Sequence, residues 1–322
     1  MNYAIMTFLF NFFELGCFLW AMQVFGLESA AIIAVCSKVG RMCTETIRSR
    51  TTSIVIGVFL IGVILGALSL YYNWLLACLA APMTVYSISK LRESYQSIER
   101  PPKKFKVFSR LMAFCIAPLF NFWILIPFAV YFAVKMNNVN INERSTALFP
   151  DLGNYKWEYT LLNVHHIHYF AYSYVVPYLA SEVFNIDMAL VGIIFVIGWG
   201  AYNLYEGRID SKISYVAYGH LIAGVGVGLI WFFTHNFLLV MFGWFLTGLG
   251  GGTFYIIKDK LPPDIGKSEV VELWGQLIGM FLFALAVNIN NFEFIYYFAI
   301  IFAIATTVIA NILSKRCLLC QK

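Results

Sequence analysis

The sequence predicts an all-α, polytopic membrane protein of about ten to twelve transmembrane helices, and three observations predict it. Hydrophobic residues fill 61% of the 322 positions. Charged residues fill only 12%, about half the roughly 25% of a soluble domain. The apolar residues also run continuously, in stretches near the roughly 20 residues that a helix needs to cross a bilayer. A transmembrane β-barrel would read as short alternating segments, which these runs are not.

The segments follow in order. Residues 3–25 come first, with Glu14 inside. They lack a basic start and a small-residue cleavage site, so they are expected to remain as a helix. Residues 28–47 are weaker, because they hold Lys38, Arg41 and Glu45. They read as a second helix or as a basic amphipathic helix at the cytoplasmic surface. Residues 52–72 and 74–91 are clear spans. The next, 108–136, carries Pro118 and Asn121 near its middle and Pro127 beyond. Interior prolines break helical hydrogen bonds, and roughly 30 residues are too few for two full crossings. A tight pair of short helices or a re-entrant turn is expected, the alternative being one long kinked helix.

Residues 137–156 are polar, with Pro150 and Gly153, and read as a linker. It divides the chain into an N-terminal bundle, 1–136, of four to six membrane segments, and a C-terminal bundle, 157–322. The second bundle is expected to hold six helices: 159–183, 186–204, 213–233, 237–257, 270–289 and 294–313.

The net charge of +5 does not point to nucleic acid. Basic residues gather in 38–50, 90–110, 208–212, 258–267 and the C-terminus. The positive-inside rule places such loops in the cytoplasm, which fits a multi-pass protein of a bacterial or archaeal inner membrane. Five of the seven cysteines lie in or beside apolar segments, where a thiol acts as a small hydrophobe. Cys317 and Cys320 form a lone CxxC, half a zinc site at best. "GLGGG" at 248–252 is no phosphate loop, since no Lys-Ser/Thr follows it.

Three stretches of the second half carry a family resemblance. "YSYVVPYLASEVFNIDMALVG", from 172, joins a Pro-containing helix to a Gly-bearing one through a short loop. "EGRIDSK", 206–212, is a short loop of Gly207, Asp210 and Lys212 between the second and third helices. "FLTGLGGGTFYIIKDKLPP", 245–263, is a Gly-rich fourth helix with the loop after it. Together they resemble one six-helix half of a major facilitator superfamily transporter, with the flavour of fosmidomycin-resistance-type exporters. The loop departs from the family pattern, with one residue fewer between Gly207 and Asp210 and no second arginine. "GRMCTETIRSR", 40–50, resembles a worn copy of the same loop, so the first half reads as a shortened parallel repeat. The resemblance implies two helical bundles around a central cavity lined by the first helix of each half.

"NVHHIHYFAYSY", 163–174, is the candidate site. Helical spacing puts His165, His168 and Tyr172 on one face and His166, Tyr169 and Ser173 on the next. A polar stripe at membrane depth is expected to face a bundle interior or a watery cavity, and imidazole titrates near neutral pH. His165, His168, Tyr169 and Tyr172 are therefore the expected substrate and proton path, with Glu14 in the symmetric position of the first half. Glu272 and Gln276 sit one turn apart near a membrane edge and read as structural.

The expected function is a secondary active transporter of a small molecule, not an enzyme. No nucleotide-binding motif is present, no cofactor is implied, and the partners are the substrate and the bilayer rather than nucleic acid. Monomer and homodimer stay open. Two alternatives stand beside it. One is a membrane metal- or haem-binding protein using His165, His166 and His168, with His165 and His168 sharing a metal. The other is a degenerate, non-transporting accessory subunit. A di-iron enzyme of the desaturase kind fits poorly, because His220 and His235 lie apart from the cluster.

Overall fold

A computed structural model of the chain describes residues 3–46, 103–120, 124, 149–204, 212–258, 260–261 and 265–319. The expected spans 52–72 and 74–91 lie outside these residues, as do most of 121–148 and the loop residues Gly207 and Asp210. The chain forms two compact units, Met1–Leu148 and Phe149–Lys322, and the boundary between them falls within the polar segment 137–156.

In the first unit, α1 runs Tyr3–Thr46 and is broken once, at Gly26, whose φ of 80° lies where L side chains rarely go. The two arms match the segments 3–25 and 28–47, so the weaker stretch is helical. Lys38, which made it look weak, is buried at 2% exposure. The helix α2 is Lys103–Ile116. It gives way to a 3₁₀ turn, Ala117–Leu119, that holds Pro118, and then to extended backbone at Phe120. The helix therefore ends at the first proline, as a residue lacking an N–H dictates. The indole N–H of Trp20 donates to the Ala117 carbonyl at 3.1 Å and ties α1 to that turn. Phe12 packs edge-on against both Trp20 and Phe120.

The second unit holds six long helices among the described residues. They are α3 (Lys156–Tyr172), α4 (Met188–Asn203), α5 (Ser214–Phe232), α6 (Phe237–Gly251), α7 (Ile265–Asn288) and α8 (Glu293–Leu319). Each falls on one of the six expected segments. Among the described residues, four stretches are long and apolar enough to cross a bilayer: Ser214–Phe232, Phe237–Lys258, Lys267–Asn288 and Glu293–Lys315. After α3 the chain continues through a turn at Val175–Tyr178 and a wide π turn at Leu179–Val183. Pro177 explains the interruption, since it cannot donate to the Ser173 carbonyl one turn earlier. Asp187 caps α4 by accepting from the Ala189 N–H at 2.8 Å, and Asn236 caps α6 through Leu239.

Packing follows side-chain size. The helix α3 lies against α7 and α8, α5 against α6 and α8, and α4 against α6. Where helices approach most closely, glycines face backbone. Gly219 and Gly250 meet where α5 crosses α6, as do Gly226 and Gly243. Gly248 faces Gly198 of α4, while Gly275 and Gly279 of α7 seat against α3. Small residues let helices associate in lipid, where no hydrophobic force drives them together. The outward faces are apolar and exposed: Tyr218, Leu221 and Val225 on α5, and Ile301, Ile304 and Val308 on α8. Such a surface belongs in hydrocarbon rather than water, and this chain is a membrane protein.

Candidate functional site

The helix α3 carries its polar residues into the interior of the second unit. His165, His168, Tyr169 and Tyr172 are each no more than 1% exposed. Each finds a different neighbour, and backbone carbonyls set the tautomers of the histidines.

The imidazole Nδ1 of His220, on α5, lies 2.8 Å from the Val216 carbonyl. A carbonyl can only accept, so this nitrogen carries the proton, and the Nε2 of neutral His220 has a lone pair. The Nδ1 of His165 lies 2.7 Å from that Nε2 and must donate to it. His165 Nε2 is then itself an acceptor, and the Tyr202 hydroxyl of α4 donates to it across 3.1 Å. With every group neutral, the result is one directed chain, Tyr202 to His165 to His220 to the Val216 carbonyl, linking three helices.

His168 follows the same rule. Its Nδ1 donates to the Ala299 carbonyl of α8 at 2.7 Å, which leaves a lone pair on Nε2. That atom has no hydrogen-bond partner among the described residues. The ring lies 5.8 Å from the His220 ring and 5.1 Å from that of Tyr172. Tyr172 in turn lies beside Thr247 of α6.

His166 faces the other way, towards α7, as the helical spacing predicts. Its Nδ1 donates to the Leu162 carbonyl one turn back, and its Nε2 lies 3.7 Å from a Glu272 carboxylate oxygen. The other carboxylate oxygen lies 2.7 Å from the Lys258 ammonium at the end of the α6 span. Glu272, read from sequence as an edge residue, is thus the meeting point of α3, α7 and that span. Asn163 adds a second link, donating to the Val271 carbonyl at 2.9 Å.

Aromatic rings enclose the chain. Phe254 stacks on His165 with centroids 4.6 Å apart and planes 3° from parallel, and it meets His166 edge-on. Tyr169 lies among Trp199, Tyr202 and Trp244. The Trp244 indole N–H donates to the Phe195 carbonyl at 3.2 Å.

The structure brings His165, His168, Tyr169 and Tyr172 together in one buried region. Lys212 is exposed just before α5, while the Glu14 side chain, Gly207 and Asp210 lie outside what is described. Among the described residues, no group of three or more His, Cys, Asp or Glu side chains is placed to hold a metal ion. Both ring nitrogens of His165 are engaged in hydrogen bonds. The sequence reading set His220 apart from the cluster and did not single out Tyr202, whereas the structure brings His220 within 2.7 Å of His165 and Tyr202 within 3.1 Å. Their signal was present, since a histidine inside an apolar span needs a polar partner in the bundle.

No protein-family model and no curated protein sequence matches the chain. Solved structures do match it over nearly its whole length. A bacterial homologue of the iron transporter ferroportin, outward-facing with soaked iron, aligns over 98% of this chain and 99% of its own at 13% identity, with a TM-score of 0.58. A second structure of a bacterial ferroportin homologue, also outward-facing, aligns over 98% and 99% at 12% identity, with a TM-score of 0.55. A bacterial metal transporter aligns over 98% of each chain at 13% identity, also with a TM-score of 0.55. The chain has the all-α membrane fold of the major facilitator superfamily.

Proposed function

We propose that this chain is a secondary active transporter that moves a small solute across the membrane and couples that movement to protons. One observation carries the reading. A fold shared over 98% of the chain with transporters holds, inside an apolar six-helix unit, a buried set of titratable side chains. Such groups are costly in a membrane and by default mark substrate or proton pathways. His165, His168, Tyr169 and Tyr172 are the residues of the second unit that carry the path, and Glu14 is the carboxylate of the first unit whose replacement by glutamine tests its part in proton coupling.

The names of the solved neighbours make a divalent transition-metal ion the first substrate to test. Uptake of labelled iron(II) or manganese(II) by sealed vesicles holding the purified chain tests the reading, and chain-dependent uptake is expected.

The membrane orientation is part of the same proposal. Loops 92–107, 207–212 and 258–268 and the C-terminus face the cytoplasm, and the protein sits in the inner or plasma membrane. Single cysteines placed there, in a chain stripped of its native thiols, should react only with reagent applied from the cytoplasmic side. Labelling of 92–107 from the opposite side to 258–268 would contradict this orientation.

A further inference from the structure

We infer that His165 and His220 form a binding site for one proton, shared between them and closed at one end by Tyr202. The inference deepens the transporter reading and rests on it for its role, though not for its chemistry. The observation is the directed hydrogen-bond chain. Its far end is fixed, because the Val216 carbonyl can only accept from His220 Nδ1, at 2.8 Å. Its near end is adjustable, because the Tyr202 hydroxyl can donate or accept.

A proton arriving from solvent forms an N–H bond at His165 Nε2, the one nitrogen of that ring with a lone pair. The Tyr202 hydroxyl then rotates, and its oxygen accepts from the new N–H. His165 becomes an imidazolium whose Nδ1–H already points at His220 Nε2, 2.7 Å away. Transfer of that proton moves the positive charge to His220, whose two N–H groups then face the Val216 carbonyl and His165 Nδ1. No atom is gained or lost in the transfer, and both ends of the charged pair stay hydrogen-bonded. A hydrogen bond with a charged donor is roughly twice as strong as a neutral one. A second proton would place two cations on rings 5.0 Å apart and would break the bond between them. The pair therefore takes one proton and refuses the next.

The surroundings fit that count. From α3 the pair faces His166 and Tyr169, with ring centroids 5.0 and 6.2 Å from His165, and His168, 5.8 Å from His220. From α4 it faces Tyr202, and Tyr255 lies behind Tyr202 at 5.6 Å. The neighbouring turn of the α6 span presents Phe254, and α8 presents the Ala299 carbonyl through His168 and Thr307 through the Ala217 carbonyl. The carboxylate of α7, Glu272, reaches His166, with Lys258 on its other oxygen. Among the described residues no carboxylate forms an ion pair with His165 or His220, so the pair itself must spread the charge.

Nitrogen NMR of the full chain, labelled with ¹⁵N-histidine in lipid vesicles, tests this without any transport. At alkaline pH four of the five histidines should carry their proton on Nδ1, the less favoured tautomer of a free imidazole. The fifth, His235, is exposed and should show the ordinary mixture. A scalar coupling between His165 Nδ1 and His220 Nε2 should be present across that hydrogen bond, and on acidification one proton should enter the pair, with both rings moving together and the coupling persisting. His220→Gln should abolish that coupling. Should it fail to fold, Tyr202→Phe should shift the His165 Nε2 resonance first. Two rings titrating independently, or a neutral His165 or His220 protonated on Nε2, would overturn the assignment. Vesicles that transport without a shared proton would remove this inference and leave the transporter reading; a shared proton without transport would do the reverse.

Discussion

Replacing His220 with leucine is expected to lower the stability of the second unit by about 1–3 kcal/mol, the usual cost of leaving a buried donor unpaired. The leucine is close in size and fully buried, so packing alone predicts little change. The loss comes from His165, whose Nδ1–H would face hydrocarbon in place of a lone pair at 2.7 Å. His220→Gln separates the two effects. Its amide oxygen reaches about where Nε2 lies and can still accept, so stability should fall by less than about 1 kcal/mol. The shared proton should vanish in both variants. Thermal unfolding of the two proteins in the same lipid-detergent mixture makes the comparison. Equal losses for leucine and glutamine would mean that shape, not the hydrogen bond, holds α3 to α5.

Substituting alanine at Gly250 is expected to cost about 1–3 kcal/mol or more, the range seen when a close-packed site is overfilled. An added methyl would fall 2.7 Å from the Ala223 backbone nitrogen and closer still to the Gly219 carbonyl. These are backbone atoms of α5, so neither can rotate away, and the α5–α6 crossing has to open. Gly228→Ala, on the same helix as Gly219, is the control. Nothing lies within 4 Å of a methyl there, and alanine favours helix over glycine by roughly 0.5–1 kcal/mol. Matching unfolding temperatures for the two variants would contradict the packing derived for this crossing.

The helices of the second unit were legible because membrane spans are written in composition, and the bilayer admits little else. The end of α2 at Pro118 was legible for the same kind of reason, since a missing N–H is a local fact, whereas 159–183 was expected to run as one helix and is interrupted before Pro177. The weak segment 28–47 was harder. Lys38 argued against a buried helix, yet the structure buries it, because a charge in a membrane protein is placed by partners that sequence spacing does not show.

The candidate site divides along the same line. That His165 and His168 look one way and His166 another followed from helical periodicity. That His165 meets His220, 55 positions away, did not, because pairing between helices is set by how they cross. Glu272 was read as structural, which its ion pair fits, but its partners were not readable for that reason. Its depth along α7 was readable, but its approach to Lys258 and His166 depends on the glycines that seat α7 against α3.

The most direct test of the account is solute movement in sealed vesicles carrying the purified chain, under a pH gradient imposed in either direction. The solutes are labelled iron(II), manganese(II) and cobalt(II), with a panel of small organic anions and cations. At least one is expected to accumulate only when the chain is present, and reversing the gradient is expected to reverse the accumulation. In His220→Gln vesicles, gradient-driven accumulation should be lost while exchange of that solute at equal pH persists. A folded chain that moves none of these solutes faster than protein-free vesicles, under either gradient, would contradict it.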